Sequence, residues 1–412
     1  MKVSSLKILY SKLSYLVYVK STSVFDIILY FLNLKIRKLK GLEYADKKVI
    51  VYVCDGIMLH IPRLAKWVRN YGFTTILISN KALYIKAFSD DVWDFKILFR
   101  NEYHLKRIIK QLKKVYIYHV TAPKSYYPDM IRQMVKAPFI IDMHDVYSCY
   151  YGLNPAIKWI QTELIYEKKC LQLSDGVVGV SLEPNVALRK YGKPKPPTIY
   201  FPLYCDNDFF KNNTKQLTED NIHLVYAGGI AGSHRNKSHY GAIQFHNLIK
   251  VFSEQKIHFH IYPSPSVHIT DISEYEKIAG TNDYFHFHKS VPQENLADEL
   301  SKYHFGLIPF FSKDTRISTE KIKYATSLKL FNYIEAGIPL IISKDLIYQS
   351  WIVERYCAGY SIGADDLSRI KEIILSINYR DLVSGMIEKR EEISLKNHIP
   401  RLIKFYIQIA GV

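Results

Sequence analysis

Short apolar runs rich in β-branched residues alternate with segments of helical period along most of the chain. The first run, VIVYV at residues 49–53, is of the kind buried on both faces of a parallel sheet. A loop of Cys54, Asp55 and Gly56 follows, then a helical pattern at 62–70 that Gly72 stops, then a strand at 75–79. The alternation continues with predicted helices at 104–114, 127–135 and 159–173, and predicted strands at 115–119, 139–142, 176–181 and 198–201. A second series opens with a strand at 222–226 that leads into Ala227, Gly228 and Gly229. Helices at 240–254, 296–302 and 328–336 then alternate with strands at 258–262, 284–288, 306–309 and 339–343. This order predicts an α/β protein of two doubly wound, Rossmann-like units joined near residues 202–208. Ligands of such sheets bind beyond the carboxyl ends of the strands or between domains, so residues just after each strand are the candidates for chemistry.

The length of 412 residues fits two domains of roughly 150–200 residues each. The expected division is a basic segment 1–48, a first domain 49–203, a second domain 204–392 and a last helix within 393–412 that packs back on the first domain. With 48% hydrophobic and 23% charged residues, the composition excludes a disordered or collagen-like chain. No stretch reaches the ~20 uncharged apolar residues of a membrane span. Five scattered cysteines make neither a disulfide framework nor a zinc pattern, which points to a reducing compartment. Charge changes the picture more: 56 Lys and Arg against 39 Asp and Glu leave +17, a surface that attracts polyanions. Segment 1–48 concentrates it, with Lys2, Lys7, Lys12, Lys20, Lys35, Arg37, Lys38, Lys40, Lys47 and Lys48 against Asp26, Glu43 and Asp46. It lacks a signal-peptide pattern. Leu6, Leu9, Tyr10, Leu13 and Leu16 share a helical spacing, and Phe25, Ile28, Leu29 and Phe31 precede a basic cluster. Two readings stand: an amphipathic segment lying on anionic lipid, or helices packed on the first domain.

The stretches GLIPF (306–310) and SLKLFNYIEAGIPLIIS (327–343) carry the strongest motif, and GVVGVS (176–181), LVYAGGI (224–230) and YFHFHKSVPQENLADELSKYHFGLIPF (284–310) stand in order around them. Together they resemble the GT-B glycosyltransferases, above all those whose second domain carries Lys-Leu-Phe-Glu-Tyr-x-x-x-Gly-x-Pro. The resemblance covers residues 49–390 in architecture and 327–343 in tight motif. It implies two domains facing each other across a cleft, a UDP- or GDP-sugar donor on the second, an acceptor on the first, and no tightly bound cofactor or metal.

Physical chemistry supports the same site. Lys329 falls in the first turn of a predicted helix, where unpaired N–H groups and a cation suit a diphosphate. Ser327 is placed to cap that helix or touch phosphate, and Leu330 and Tyr333 complete the framing. The family's Glu, which holds the donor ribose, is Asn332 here, with Glu335 on a similar helix face as its substitute. Gly228 and Gly229 allow close approach to a phosphate, and Arg235 and Lys237 follow where the family often has diphosphate ligands. In IIDMHDVYS (140–148), His144 and Asp145 stand just past a strand and resemble the family's His-Asp element. His144 would meet donor phosphate or sugar, and Asp145 would take a proton from an acceptor hydroxyl in an inverting reaction. A capping Asp beside a packed His fits the same residues, and a retaining reaction needs no such base. Asp55 is a second base candidate.

Asp206-Asn207-Asp208 matches the metal-binding Asp-x-Asp of other transferases, but its position suits an interdomain linker. His258 and His260, like His286 and His288, alternate on predicted strands without a third ligand at fixed spacing, so ordinary strand histidines are expected. The reading is a hexosyltransferase that builds on a glycan or lipid-linked glycan, cytoplasmic and docked to an anionic membrane surface, without nucleic acid as partner. Its rivals are a sugar-nucleotide epimerase of the same architecture, a basic nucleic-acid-binding protein, and an inert glycan-binding relative. The 33 tyrosines are spread along the whole chain, which argues against the second rival.

Overall fold

The computed structural model describes residues 23–32, 36, 48–56, 58–80, 92–213, 215–311 and 318–411. The predicted amphipathic pattern from Leu6 to Leu16 lies outside the described residues, as does most of the basic run 35–48.

Seven strands form the first sheet: β1 (Val49–Cys54), β2 (Thr74–Ser79), β3 (Phe95–Leu98), β4 (Val115–Thr121), β5 (Phe139–Met143), β6 (Gly176–Gly179) and β7 (Thr198–Tyr200). Their order is β3-β2-β1-β4-β5-β6-β7, and every pairing is parallel. Alternate β1 residues feed two cores: Ile50, Tyr52 and Cys54 on one face, Val49, Val51 and Val53 on the other. That two-sided burial is why the strand is a continuous apolar run.

Six strands form the second sheet: β8 (His223–Gly228), β9 (His258–Pro263), β10 (Phe285–Phe287), β11 (Phe305–Ile308), β12 (Leu340–Ser343) and β13 (Gly359–Ile362). Their order is β10-β9-β8-β11-β12-β13, again all parallel. Both sheets reverse direction of growth between their first and fourth strands, the place where doubly wound sheets open a crevice. The expected pair of Rossmann-like domains is therefore present. The pattern missed β3 and β13, which are edge strands of mixed polarity, and it began the helix His246–Glu254 six residues early, across the turn Gly241–Ile243.

The chain crosses between the domains twice, and the crossings run side by side. Cys205 N donates to Ile393 O at 3.0 Å, and Leu395 N donates to Cys205 O at 2.7 Å. The helix Leu395–Ala410 then lies against the first domain, contacting β4 and the helix His60–Arg69. Phe405 and Ile409 fill the space over Gly176, where a Cβ would come within 2.9 Å of the Phe405 ring. All five cysteines are free.

One face of the second sheet carries an array of histidines. His223 Nε2 donates to Asn221 Oδ1 (2.6 Å), which leaves its Nδ1 to accept from His260 Nε2 (2.8 Å). His260 Nδ1 then accepts from His288 Nε2 (3.0 Å), and His258 and His286 pair at 2.9 Å. Each bond needs its accepting ring to be neutral. Burial pushes the His223 pKa down to about 4 and that of His260 down to about 2, and it lowers His258, His286 and His288 as well. Folded-state values below the unfolded ~6.5 mean that unfolding takes up protons in acid. Stability contributed by the array is thus complete above about pH 6.5 and declines as pH falls toward 4. We expect thermal unfolding to shift down between pH 7 and pH 5, and the shift to shrink in His260→Leu. Identical profiles in the two proteins over that window would remove the array from the stability account. Among the described residues no group of three side chains is disposed to hold a metal ion.

Candidate functional site

A cleft of about 480 Å³ opens where the carboxyl ends of β1, β4 and β5 face those of β8 and β9. The first domain lines it with Met58, Leu59, His60, Pro123, His144 and Asp145. The second contributes Gly228, Gly229, Ser264, Gln293, Ser327, Lys329 and Asn332.

Lys329 stands in the first turn of the helix Leu328–Glu335, whose N-cap Ser327 accepts from Lys329 N at 3.3 Å. The lysine's side chain lies across Gly228, its Nζ 5.6 Å from the centre of the Tyr226 ring. Gly228 has φ +157°, a backbone conformation that favours glycine, and a Cβ there would displace the end of the Lys329 side chain. Burial lowers the Lys329 pKa, and among the described residues no carboxylate lies within ion-pair distance of Nζ. A cation with no carboxylate partner among the described residues, beside a glycine loop and a helix N-terminus, has the electrostatics that suit an anion.

Leu330 and Tyr333 act from beneath. Leu330 is wholly buried. The Tyr333 ring packs on Gly306, and its hydroxyl accepts from Ala227 N (3.0 Å) and donates to Leu307 O (3.3 Å), which holds the strand end that carries Gly228.

Three predicted donor residues are placed elsewhere. Glu335 does not face the cleft. Its carboxylate accepts from Arg63 Nη1 (2.5 Å) and Nη2 (3.1 Å) and from Asp206 N (2.7 Å), a buried bidentate pair that ties the domains together. Burial raises its pKa, and Arg63 opposes that rise. Asn332 reaches the cleft, yet its Oδ1 accepts from Arg63 Nη2 (3.3 Å) and Gln293 Nε2 (3.2 Å). Positions 332 and 335 share one helix face, and an arginine from the opposite domain occupies it. Arg235 is spent on Asp271 (2.9 Å), and Lys237 lines a separate cavity with Ser233 and His246.

In the first domain Asp145 and His144 both line the cleft. Lys321 holds the Asp145 carboxylate at 2.6 Å and pulls its pKa down, which makes it a weak base. The same Lys321 bonds Glu183 at 3.1 Å, and burial pushes Glu183 up to about 7. Burial, with His60 nearby, lowers His144 to about 4, so it is a neutral ring at pH 7. Asp55 bonds Asn80 and does not line the cleft. The linker acids are engaged too: Asp206 accepts from Trp67 Nε1 (3.2 Å), and Asp208 pairs with Lys66.

The pattern missed His60. It begins the helix His60–Arg69 and lines the cleft with its ring 5.3 Å from that of His144. Its Nε2 lies 2.9 Å from Asp142 Oδ2, and with Nε2 donating there Nδ1 is the ring's acceptor nitrogen. Asp142 also accepts from His119 Nε2 (2.9 Å), whose Nδ1 accepts from the Tyr406 hydroxyl (2.7 Å). Burial favours the neutral acid at Asp142, but His60 and His119 outweigh it and hold the pKa well below the usual carboxylate range. The available signal was an aspartate inside the apolar strand IIDM.

Residues 244–397 match the family described as glucosyltransferase 3-like, C-terminal domain. No curated protein matches the chain. Among solved structures, sucrose-phosphate synthase from Thermosynechococcus elongatus is 13% identical, with a TM-score of 0.65 over 89% of this chain and 100% of that one. UDP-GlcNAc 2-epimerase from Neisseria meningitidis bound to UDP-GlcNAc is 10% identical, with 0.52 over 87% and 100%. Arabidopsis thaliana UGT89C1 complexed with UDP-L-rhamnose is 12% identical, with 0.50 over 88% and 100%. The chain thus shares the GT-B architecture of these structures, and residues 244–397 resemble the glucosyltransferase 3-like C-terminal domain.

Proposed function

We propose that the protein moves a hexose from a UDP-sugar to a hydroxyl of a glycan or lipid-linked glycan, in cell-surface polysaccharide or glycoconjugate synthesis, on the cytoplasmic side of a membrane. The observation that carries this reading is Lys329, a desolvated cation laid over Gly228 at a helix N-terminus with no carboxylate partner among the described residues. UDP-sugars in related folds favour uridine over the guanosine alternative. In the reaction, His60 Nδ1 takes the acceptor hydroxyl proton as the oxygen bonds to the sugar's anomeric carbon. The bond from that carbon to the β-phosphate breaks, and the electron pair leaves on UDP. Lys329 and the N–H groups of the helix Leu328–Glu335 meet the new charge, which is the basis for a metal-independent reading. His144, neutral and beside His60, is placed to hydrogen-bond the sugar. The five free cysteines, four of them buried, fit a reducing cytoplasm.

The test is incubation with radiolabelled UDP-hexoses, with and without a lipid-linked glycan extract. We expect label in the extract, UDP released, and the anomeric configuration inverted. Interconversion of UDP-sugars without acceptor would instead establish the epimerase reading, and a retained configuration would remove His60 as base.

A further inference from the structure

Residues 23–31 form a helix with two faces of opposite character. One face is docked. The buried Asp26 carboxylate binds Arg100 Nη2 (2.6 Å) and Nε (3.2 Å) and Asn101 Nδ2 (2.8 Å). Tyr30, one turn on, packs edge-to-face on Tyr103 and takes the Lys110 ammonium 4.1 Å from its ring centre. On the other face Val24, Phe25, Ile28, Phe31 and Leu32 are 51–74% exposed. Their spacing of one, three and four residues makes a single stripe, and an aligned apolar patch of this size marks an interaction surface.

Charge identifies the occupant. The adjoining stretch 100–114 presents the exposed Lys110, Lys113 and Lys114, while Arg100 and the buried Arg107 pair with Asp26 and Lys106 pairs with Glu102, so this group of residues keeps a net positive charge. A second copy of this basic surface would be repelled. An apolar stripe edged by cations instead matches an anionic bilayer, with the aromatics among the acyl chains and the cations on headgroups. We propose that the segment 23–32 is the membrane-docking edge of the protein.

Topology gives the docking a purpose, which rests on the lipid-linked acceptor proposed above, although the docking itself does not. Arg100 and Asn101 follow β3 at the carboxyl edge of the first sheet, the edge on which the cleft opens. β3 is two strands from β1, roughly 10 Å along the sheet. A lipid-linked acceptor entering from this side would reach the first-domain wall of the cleft without leaving the bilayer surface.

The test is flotation of the full chain with phosphatidylcholine vesicles, with and without phosphatidylglycerol. We expect flotation with the anionic vesicles, weakened by salt, and a loss of about tenfold or more in Phe25→Ser/Phe31→Ser. Lys110→Glu should reduce binding to anionic vesicles only. Both side-chain sets are exposed, so the UDP-induced thermal shift should equal wild type in every variant, which separates failure of docking from failure of donor binding. A wild-type chain that stays with the soluble fraction, a serine variant that floats as well as wild type, or a dimer dissolved by the serine variant without flotation would each overturn the proposal.

Discussion

Lys329→Ala is expected to lower kcat/KM by roughly 10²–10³-fold and to remove most of the thermal stabilisation that UDP gives the wild-type protein. The argument is electrostatic. Leaving-group charge appears at the moment of bond cleavage, and a fixed cation in a water-poor site meets it without reorganisation. The free protein holds that cation at a cost, because burial lowers the lysine's pKa and no carboxylate among the described residues compensates. A bound diphosphate supplies the missing charge and raises the pKa again. UDP affinity should therefore weaken as pH rises through the lowered lysine range, and the dependence should vanish in the alanine variant. Equal UDP shifts in the two proteins would remove Lys329 from the site. Gly228 makes the position exacting: the lysine stem lies where any β-carbon would sit.

His60→Ala should lower kcat by about 10²–10⁴-fold with little change in the donor KM, since it removes the proton acceptor and leaves the diphosphate contacts intact. Asp142→Asn tests the same base through its orientation. An amide in place of the carboxylate keeps the shape and its oxygen can still accept from both His60 and His119, but it carries no charge to stabilise the imidazolium that forms when His60 takes a proton. Activity should fall, and the acid limb of the kcat/KM profile should move, an effect that a purely structural role for Asp142 would not produce. Because its folded pKa is depressed, the carboxylate contributes stability across neutral pH and loses it only in strong acid, below the unfolded carboxylate range. Tyr406→Phe loosens the far end of the network and should cost far less, as His60 keeps its partner. Wild-type turnover and an unmoved pH profile in Asp142→Asn would refute the proposed base.

Much of the fold was legible because its information is local. Strands buried on both faces must be mostly apolar, so the runs VIVYV, FII and LII declare themselves. The SLKLFNY stretch was legible for a related reason: a cap, a cation and a helix start lie within three consecutive residues, Ser327 to Lys329. Edge strands β3 and β13 escaped, since one open side relaxes the demand for apolar residues.

The allocation of side chains was another matter. His60 and Asp142 are 82 residues apart, and Arg63 and Glu335 are 272 apart. Nothing near His60 distinguishes it from a packed helix histidine, and nothing near Glu335 says that an arginine from the other domain will claim it before any ribose could. Local pattern established the two sheets, the helix start that presents Lys329, and the basic character of the N-terminal segment. Which carboxylates were left for chemistry, and which were consumed holding the domains together, was decided by packing, because ion pairs and buried hydrogen bonds form between groups that only folding brings within reach.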